Sequence, residues 1–145
     1  KVHDASSDFA MKLAKIECGR TPPVIEVGNL DTSRDITGIK DSMQGIWLAY
    51  TEGKPGETYN LCSNKATKIR DVLDYLVSLC SKEVKIIENA ADKMRVSDEP
   101  IILGDNGKIK ELGYEPNQEV NAVLKEMFED WVEYFSEHKD YEHTQ

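Results

Sequence analysis

The sequence predicts a small α/β domain in which a few short strands alternate with packed helices. Apolar residues recur at helical spacing in four segments, which lie at 9–16, 39–50, 69–80 and 120–135. Short extended runs separate them, and these lie at 24–27, 34–38, 57–62, 84–87 and 101–103. A complete doubly wound sheet needs about five or six strands with crossover helices, which these short runs do not supply. The sequence therefore predicts a small module that packs against something larger.

Cap residues and apolar stripes define the individual helices. Ser6, Ser7 and Asp8 are expected to cap the first helix, and Gly19 is expected to end it. The second helix has one apolar face, formed by Ile39, Met43, Ile46, Trp47 and Tyr50. The last helix is the clearest element, because its apolar residues form a continuous stripe. That stripe, with Phe128 and Trp131 expected in the core, comprises Val120, Val123, Leu124, Met127, Phe128, Trp131, Val132 and Phe135.

Composition and charge exclude several classes of protein. With 145 residues, 39% apolar and 31% charged, the chain has the composition of one soluble globular domain. The net charge of −9 argues against a nucleic-acid-binding protein, which needs a basic face to meet phosphates. No run approaches the ~20 apolar residues that span a bilayer, and no signal peptide is recognisable. We expect a cytoplasmic protein that binds neither nucleic acid nor membrane.

Cysteine and histidine positions predict neither a disulfide framework nor a metal site. The three cysteines, Cys18, Cys62 and Cys80, are odd in number and widely spaced, which is typical of reduced thiols in a cytoplasm. The three histidines lie near the ends of the chain and form no zinc-binding spacing with cysteine. No metal ligand is assigned.

The common catalytic motifs are missing. The sequence has no glycine-rich dinucleotide fingerprint, no P-loop and no nucleophile elbow. Residues 104–107 contain two glycines, but a helix cap formed by Asp105 and Asn106 explains them, with the short helix ending at Gly113. No residue of the chain is therefore assigned to cofactor binding.

One pair of residues has the spacing of a catalytic pair. Tyr50 and Lys54 lie one helical turn apart, like the Tyr and Lys of short-chain dehydrogenases, in which the Lys lowers the pKa of the phenol. Gly53 and Pro55 break the helix that would have to hold these two side chains together. We interpret Tyr50 as a core residue at a helix end and Lys54 as a surface residue, so no catalytic residue is assigned.

Two arginines lie in segments suited to binding a diphosphate. Arg34 follows a Gly/Asn turn, and Arg95 lies in a polar, irregular loop. Arginine suits a diphosphate because its planar fork donates two hydrogen bonds at once, and a carboxylate such as Asp98 suits ribose hydroxyls. Asp35 and Asp98 are also candidate ion-pair partners for the two arginines. On residue types alone, a surface ion pair explains each arginine better than a binding site does.

Five ordered blocks of the sequence form a recognisable series. They read SDFA at 7–10, VGNL and RDIT within 27–37, GETYNL at 56–61, RVSDEP and LGD within 95–105, and LGYEP at 112–116. Together they resemble the extended short-chain dehydrogenase/reductase family, and most closely its GDP-mannose 4,6-dehydratase and GDP-6-deoxy-mannose reductase group. Val96 and Tyr114 depart from the Pro and Trp that are usual at these positions.

The resemblance implies a two-part enzyme. The amino-terminal Rossmann domain of the family binds NAD or NADP and holds the catalytic Tyr and Lys, whereas the carboxy-terminal part binds a nucleotide diphosphate sugar. By the resemblance, Arg34 and Arg95 contact the diphosphate or its neighbouring sugar, and Asp98 contacts the ribose. The same resemblance implies that Val27 and its neighbour Asn29 border the base.

We therefore expect residues 1–145 to be the carboxy-terminal, nucleotide-sugar-binding domain of such an enzyme, without its Rossmann domain. A GDP-sugar is the favoured ligand, and the domain alone is expected to hold no cofactor and to be inactive. Family members often form homo-oligomers, and the extended run at 58–61 is a candidate strand of the missing sheet. Two alternatives stay open: a UDP- or dTDP-sugar epimerase or dehydratase, and a non-catalytic binding domain descended from such an enzyme.

Overall fold

The computed structural model describes residues 4–89 and 99–138, and these form a small α/β fold. The helices are α1 (Ala5–Glu17), α2 (Ile39–Thr51), α3 (Ile69–Ser78), α4 (Gly107–Lys110) and α5 (Val120–Glu137). The strands are β1 (Val24–Glu26), β2 (Ser33–Asp35), β3 (Ala66–Lys68), β4 (Lys85–Ile87) and β5 (Ile101–Ile102). The fold class predicted from the sequence is confirmed, because helices alternate with a few short strands.

The hydrophobic core lies between α1, α3 and α5. Each of these helices turns its apolar stripe toward the other two, and each fully buried aliphatic or aromatic side chain stabilises the fold by about 1.5–3 kcal/mol. The helical core residues, none more than 5% exposed, include Phe9, Leu13, Ile16, Ile69, Val72, Leu73, Leu76, Leu124, Phe128 and Phe135. Ile25 in β1, and Val27 directly after it, extend this core.

The strands form two separate small sheets. Strands β1 and β4 pair in parallel, with Ile25 opposite Ile86. In the second sheet, β2 is central: it pairs antiparallel with β3 and parallel with β5. Arg34 therefore lies in the middle strand, opposite Thr67 on one side and Ile102 on the other.

Helix α1 begins earlier than its sequence signals predicted. Asp4 is the N-cap: its carboxylate accepts hydrogen bonds from the Ser7 amide and from the Ser6 hydroxyl. The predicted cap at Ser6–Asp8 is wrong because these residues already lie in the first turn, where Ser6 is buried. Gly19 ends the helix as predicted, with a φ of +71° that favours glycine.

Helix α5 has the predicted extent, but its core residues are not all those expected. Phe128 and Phe135 are buried, whereas Trp131 is only partly buried and packs against the edge of the core. The Trp131 ring stacks on Phe135 at a centroid distance of 5.4 Å. Phe135, rather than Trp131, is therefore the main aromatic anchor at this end of α5.

Helix α2 turns its apolar face away from the other described parts of the chain. Ile39, Met43, Ile46, Trp47 and Tyr50 are all exposed, and Asp41 and Gly45 are the buried residues of the helix. The interpretation of Tyr50 as a core residue is thus wrong. The helix ends at Thr51, before Lys54, as the break at Gly53 and Pro55 predicted.

The run at 57–62 was predicted to be a strand, and within the described residues it pairs with no other strand. Side chains hold it instead: Lys108 Nζ donates to the carbonyl of Thr58 at 2.9 Å, and Asn106 Nδ2 donates to that of Cys62 at 2.9 Å. An extended sequence pattern becomes a strand only when a neighbouring strand supplies backbone partners. The described part of the chain supplies none at this position.

We expect Phe135→Ala to lower the free energy of unfolding by about 3–5 kcal/mol, because it leaves a cavity between α1 and α5. Lys125→Ala is the control, since Lys125 is exposed on α5, and its effect should stay within about 0.5 kcal/mol. Urea denaturation followed by circular dichroism measures both. Equal denaturation midpoints for the two variants would show that the buried face of α5 has been assigned incorrectly.

Candidate functional site

Arg34 connects the central strand β2 to the segment that enters β5. Its Nη1 atom donates to the Ser33 carbonyl at 2.8 Å and to the Glu99 carbonyl at 2.9 Å. The amide of Ser33 donates to the Pro100 carbonyl at 2.7 Å, which continues the contact between the same two segments. Arg34 is half-buried, and its guanidinium group holds two neighbouring segments of the sheet together.

Arg95 and Asp98, the two other charged residues of the predicted site, lie outside the described residues. Asp98 directly precedes Glu99 in the sequence. The predicted approach of Arg34, Arg95 and Asp98 around one pocket therefore stays a prediction.

Val27 and Asn29 lie in the connection between β1 and β2. The Val27 side chain is buried in the core, and its amide donates to the Ile87 carbonyl at 2.9 Å. The Asn29 Oδ1 atom accepts from the amide of Asp31 at 2.9 Å, which forms an Asx turn. The backbone of this connection is thus fixed at both ends before it enters β2.

Asp35 is not the ion-pair partner of Arg34 that the sequence suggested. Its carboxylate accepts from the Ser63 amide at 2.8 Å, the Ser63 hydroxyl at 2.6 Å and the Asn64 amide at 2.9 Å. It also accepts from the Gly104 amide at 3.4 Å. Successive residues of a strand point to opposite faces of the sheet, so Arg34 and Asp35 cannot face the same partner.

The charge of Asp35 is stabilised by this set of donors. Partial burial acts to raise the pKa of Asp35, but the hydrogen bonds from Ser63, Asn64 and Thr37 together outweigh it and hold the pKa below its usual value. Asn64 has a φ of +58°, a left-handed conformation that asparagine tolerates better than most residues. The ionised carboxylate thus orders the loop before β3.

A buried carboxylate, that of Asp41, fixes the start of α2. It accepts from the amides of Asn117 at 3.2 Å and Gln118 at 2.9 Å. In return, the Gln118 side-chain oxygen accepts from the amides of Lys40 at 2.9 Å and Asp41 at 3.2 Å. Gln118 therefore caps α2 from a distant part of the chain, since the N-cap residue Gly38 has no side chain to do so.

Arg70 has a structural role that no local feature of the sequence indicates. Its guanidinium group binds both carboxylate oxygens of Glu88, at 2.7 and 3.0 Å, and also lies 3.5 Å from Asp31. The hydrogen bond from Arg70 is the main reason that the pKa of Glu88 is lowered. This exposed network joins the start of α3 to the turn before β2 and to the end of β4. No local sequence signal could have paired residues so far apart.

An open cavity of about 360 Å³ lies on a different part of the surface. It is lined by Ser63, Lys65, Lys110, Tyr114, Glu115 and Pro116. Among the described residues that line it, Arg34, Val27 and Asn29 do not occur. Among the described residues, the buried Tyr114 hydroxyl and Asn106 Oδ1 have no hydrogen-bond partner. Burial, followed by the nearby acidic groups of Asp41, Cys62 and Asp35, raises the pKa of Tyr114.

Two kinds of feature are absent from residues 4–89 and 99–138. No group of three His, Cys, Asp or Glu side chains there is arranged to hold a metal ion. No helix of this part combines the length and the apolar character needed to cross a bilayer. Cys18, Cys62 and Cys80 are free thiols, and burial is the main cause that raises the pKa of Cys80 to about 11.

Comparison with known proteins decides the family. The sequence profile described as GDP-mannose 4,6 dehydratase matches residues 6–127, which is most of the chain. The chain belongs to the GDP-mannose 4,6 dehydratase family. This match includes α1, α2, α3, the β2 site segment and the first part of α5.

Curated relatives within this family are considerably longer. The chain is 26% identical over 123 residues to GDP-6-deoxy-D-mannose reductase of Pseudomonas aeruginosa, which covers 84% of this chain but 40% of the reductase. It is 26% identical over 135 residues to a GDP-mannose 4,6-dehydratase of Sordaria araneosa, covering 80% of this chain and 24% of that enzyme. The chain thus spans at most about 40% of the length of these two relatives.

Solved structures share the fold. The structure of RMD from Pseudomonas aeruginosa complexed with NADPH has a TM-score of 0.80 at 23% identity, covering 90% of this chain and 43% of that one. UDP-glucose 4-epimerase from Thermotoga maritima, solved with UDP-glucose, has a TM-score of 0.68 at 23% identity, covering 92% of this chain and 40% of the epimerase. The fold is therefore that of a partial segment of an extended short-chain dehydrogenase/reductase.

We expect Asp35→Asn to destabilise the fold at neutral pH by about 1–3 kcal/mol. The asparagine side chain has an NH2 group in place of one carboxylate oxygen, and this donor would face the Ser63 and Asn64 groups, which are donors themselves. Since the folded-state pKa is lowered, ionised Asp35 stabilises the fold above its unfolded pKa of about 3.9. That contribution is lost as the pH falls through the folded-state value. Urea denaturation at neutral and acid pH should show the stabilities of wild type and variant converging in acid.

Asp74→Asn is the matched control, because Asp74 is exposed on α3. It should leave stability within about 0.5 kcal/mol of wild type at both pH values. A stability gap between wild type and Asp35→Asn that is the same in acid as at neutral pH would contradict the role assigned to the Asp35 charge.

Proposed function

We propose that this chain is the nucleotide-sugar-binding part of an NAD(P)-dependent enzyme that acts on a GDP-sugar. The observation that carries the proposal is the family match across residues 6–127, with Arg34 on the central strand β2 within it. Both named curated relatives act on GDP-linked sugars by their names, a reductase and a 4,6-dehydratase. The whole enzyme would be a lyase that dehydrates the sugar after transient oxidation at C4, or an oxidoreductase that reduces a 4-keto sugar.

The proposed ligand contacts centre on the diphosphate. Arg34 is held in a short piece of sheet, and an arginine with a fixed backbone loses less freedom when it binds an anion. Asp98 directly precedes Glu99 in the sequence, and the Glu99 carbonyl accepts a hydrogen bond from Arg34. In this proposal, Arg34 and Arg95 bind the diphosphate and Asp98 binds the ribose hydroxyls.

The base is proposed to lie beside the connection between β1 and β2. The backbone at Val27 and the Asx turn at Asn29 are fixed by hydrogen bonds. The base would therefore contact a backbone segment that is already ordered before the ligand binds. The Val27 side chain points into the core, so only its backbone is available to the base.

The dinucleotide cofactor does not fit the residues of this chain. Its diphosphate needs a glycine-rich loop at the start of a helix, and the sequence contains no such fingerprint. NAD or NADP and the catalytic Tyr and Lys would belong to the remaining part of a family-length enzyme. What this chain supplies is the binding and orientation of the sugar nucleotide.

A second candidate ligand is a UDP-sugar. The observation in its favour is the likeness in fold to UDP-glucose 4-epimerases, including one solved with UDP-glucose at a TM-score of 0.68. A dTDP-sugar enzyme and a non-catalytic binding domain are further alternatives from the sequence. The two nucleotides differ at the base, so a titration with GDP and UDP separates them.

We expect GDP to bind this chain at least about tenfold more tightly than guanosine, since each charge-assisted hydrogen bond contributes roughly 1.5–3 kcal/mol. Arg34→Lys keeps the charge but loses the planar fork, so it should remove part of this preference, and Arg95→Ala should remove most of it. Calorimetric titration of GDP, UDP and guanosine measures the three affinities.

Lys125→Ala is the control for charge, because Lys125 lies exposed on α5, far along the chain from β2. Its affinities should match those of wild type. Equal affinity of the folded wild-type chain for GDP and guanosine would refute the diphosphate site. Tighter binding of UDP than of GDP would favour the alternative ligand.

We also expect the isolated chain neither to bind NAD or NADP measurably nor to turn over a GDP-sugar, because it lacks the dinucleotide loop and an intact Tyr–Lys pair. The assay incubates the purified chain with GDP-mannose and each dinucleotide, and analyses the products by chromatography. Formation of a 4-keto sugar product by the purified chain alone would contradict this expectation.

A further inference from the structure

The cavity of about 360 Å³ lies between the loop before β3 and the turn that follows α4. Its lining residues are Ser63, Lys65, Lys110, Tyr114, Glu115 and Pro116. Small molecules usually bind in clefts of roughly 300–1,000 Å³ that carry a few well-placed polar groups. The cavity is therefore large enough for a small metabolite, and its lining is rich in groups that bond to polar ligands.

Hydrogen bonds fix both walls of the cavity. In the loop before β3, the Ser63 hydroxyl donates to the Asp35 carboxylate at 2.6 Å, and the Lys65 amide donates to Ser63 Oγ at 3.2 Å. In the opposite wall, Gly113 has a φ of +94°, and its amide donates to the Lys110 carbonyl at 2.9 Å. The backbones that carry the two lysines are therefore ordered before a ligand arrives, which reduces the entropy lost on binding.

Tyr114 lines the innermost part of the cavity, because its side chain is fully buried. Its hydroxyl has no hydrogen-bond partner among the described residues, and a buried polar group without a partner destabilises a fold. Burial is the main cause that raises the pKa of Tyr114, so the hydroxyl keeps its proton at neutral pH. It can therefore donate a hydrogen bond, and an acceptor oxygen of a ligand would supply the missing partner.

The charged residues of the cavity favour an anion that also carries hydroxyl groups. Lys65 and Lys110 are exposed, and neither forms an ion pair with a residue that the structure describes. Two ammonium groups match a phosphate monoester, which carries a charge of about −1.5 to −2 at neutral pH, better than they match a singly charged carboxylate. Glu115 accepts hydrogen bonds from hydroxyl groups and repels a bare phosphate ion, so it favours an ester over inorganic phosphate.

We propose that this cavity binds the phosphate monoester of a small polyol such as a sugar. Lys65 and Lys110 bind the phosphate group. The Tyr114 hydroxyl donates to an oxygen of the ligand, and Glu115 accepts from the hydroxyl groups of the polyol. Arg34 does not occur among the described residues that line the cavity. The proposal concerns a second ligand site, and it goes beyond the proposed function without depending on it.

The test is a calorimetric titration of the chain with glucose 6-phosphate, inorganic phosphate and glucose. We expect saturable binding of glucose 6-phosphate, binding of inorganic phosphate that is at least about fivefold weaker, and no measurable binding of glucose. Lys65→Ala and Lys110→Ala should each weaken the binding of glucose 6-phosphate at least about tenfold, because each removes a charge-assisted hydrogen bond. Lys125→Ala is the control, since it removes the same charge from an exposed position on α5 and should leave the affinity unchanged.

Two further variants separate a ligand contact from a structural role. Tyr114→Phe should weaken the binding of glucose 6-phosphate several-fold, whereas its midpoint of urea denaturation should stay the same or rise, because the variant removes a buried hydroxyl without a described partner. Glu115→Gln should reduce the preference for glucose 6-phosphate over inorganic phosphate, because it removes the charge that repels the bare ion.

Absence of saturable binding of glucose 6-phosphate would overturn the proposal, and so would binding that the Lys65 and Lys110 variants weaken no more than Lys125→Ala does. Equal affinity of the wild-type chain for glucose 6-phosphate and inorganic phosphate would also overturn it, because the cavity would then attract any anion. A GDP titration distinguishes this site from the proposed nucleotide-sugar site. Lys110→Ala should keep the preference for GDP over guanosine, and Arg34→Lys should keep the affinity for glucose 6-phosphate.

Discussion

The carboxylate of Asp35 links three segments that are far apart in the sequence. Ser63 and Asn64 donate to it from the loop before β3, and Gly104 donates from the segment after β5, so one side chain fixes both neighbours of the central strand. Arg34, the preceding residue, bonds to Glu99 on the approach to β5. Successive side chains of a strand point to opposite faces of the sheet, so Arg34 and Asp35 contact different segments of the chain. The Asp35 carboxylate ties together the two neighbours of β2, and the Arg34 guanidinium group bonds to the segment that enters β5.

The helices could be predicted from the sequence because their signal is local. Apolar residues every three or four positions identified α1, α2, α3 and α5, and Gly19 identified the end of α1. Periodicity, however, reports only which side of a helix is apolar and not what covers that side. The apolar side of α2 resembles a core face, yet no described part of the chain packs on it. The pattern at 57–62 likewise indicates an extended backbone but not a pairing partner, and a strand forms only where a neighbouring strand supplies one.

The contacts that order the candidate site could not be predicted from the sequence, for a different reason. Asp35 bonds to Ser63, Asp41 to Gln118, and Arg70 to Glu88, and each pair is separated by many residues with no motif between them. Family resemblance identified Arg34 as a candidate without indicating that Asp35 would face elsewhere. Charged residues adjacent in sequence suggested an ion pair, and strand geometry prevented it.

The cap of α2 by Gln118 also affects how the chain can be made. The capping oxygen is contributed by a residue 77 positions after Asp41, so most of the chain must be synthesised before the helix acquires its fixed orientation. During synthesis at roughly 5–20 residues per second, α2 emerges from the ribosome several seconds before its cap. Its apolar side is then free to associate with whatever is already folded nearby, or with other nascent chains. The orientation of α2 is therefore fixed only late in synthesis, after the segment that carries Gln118 has emerged.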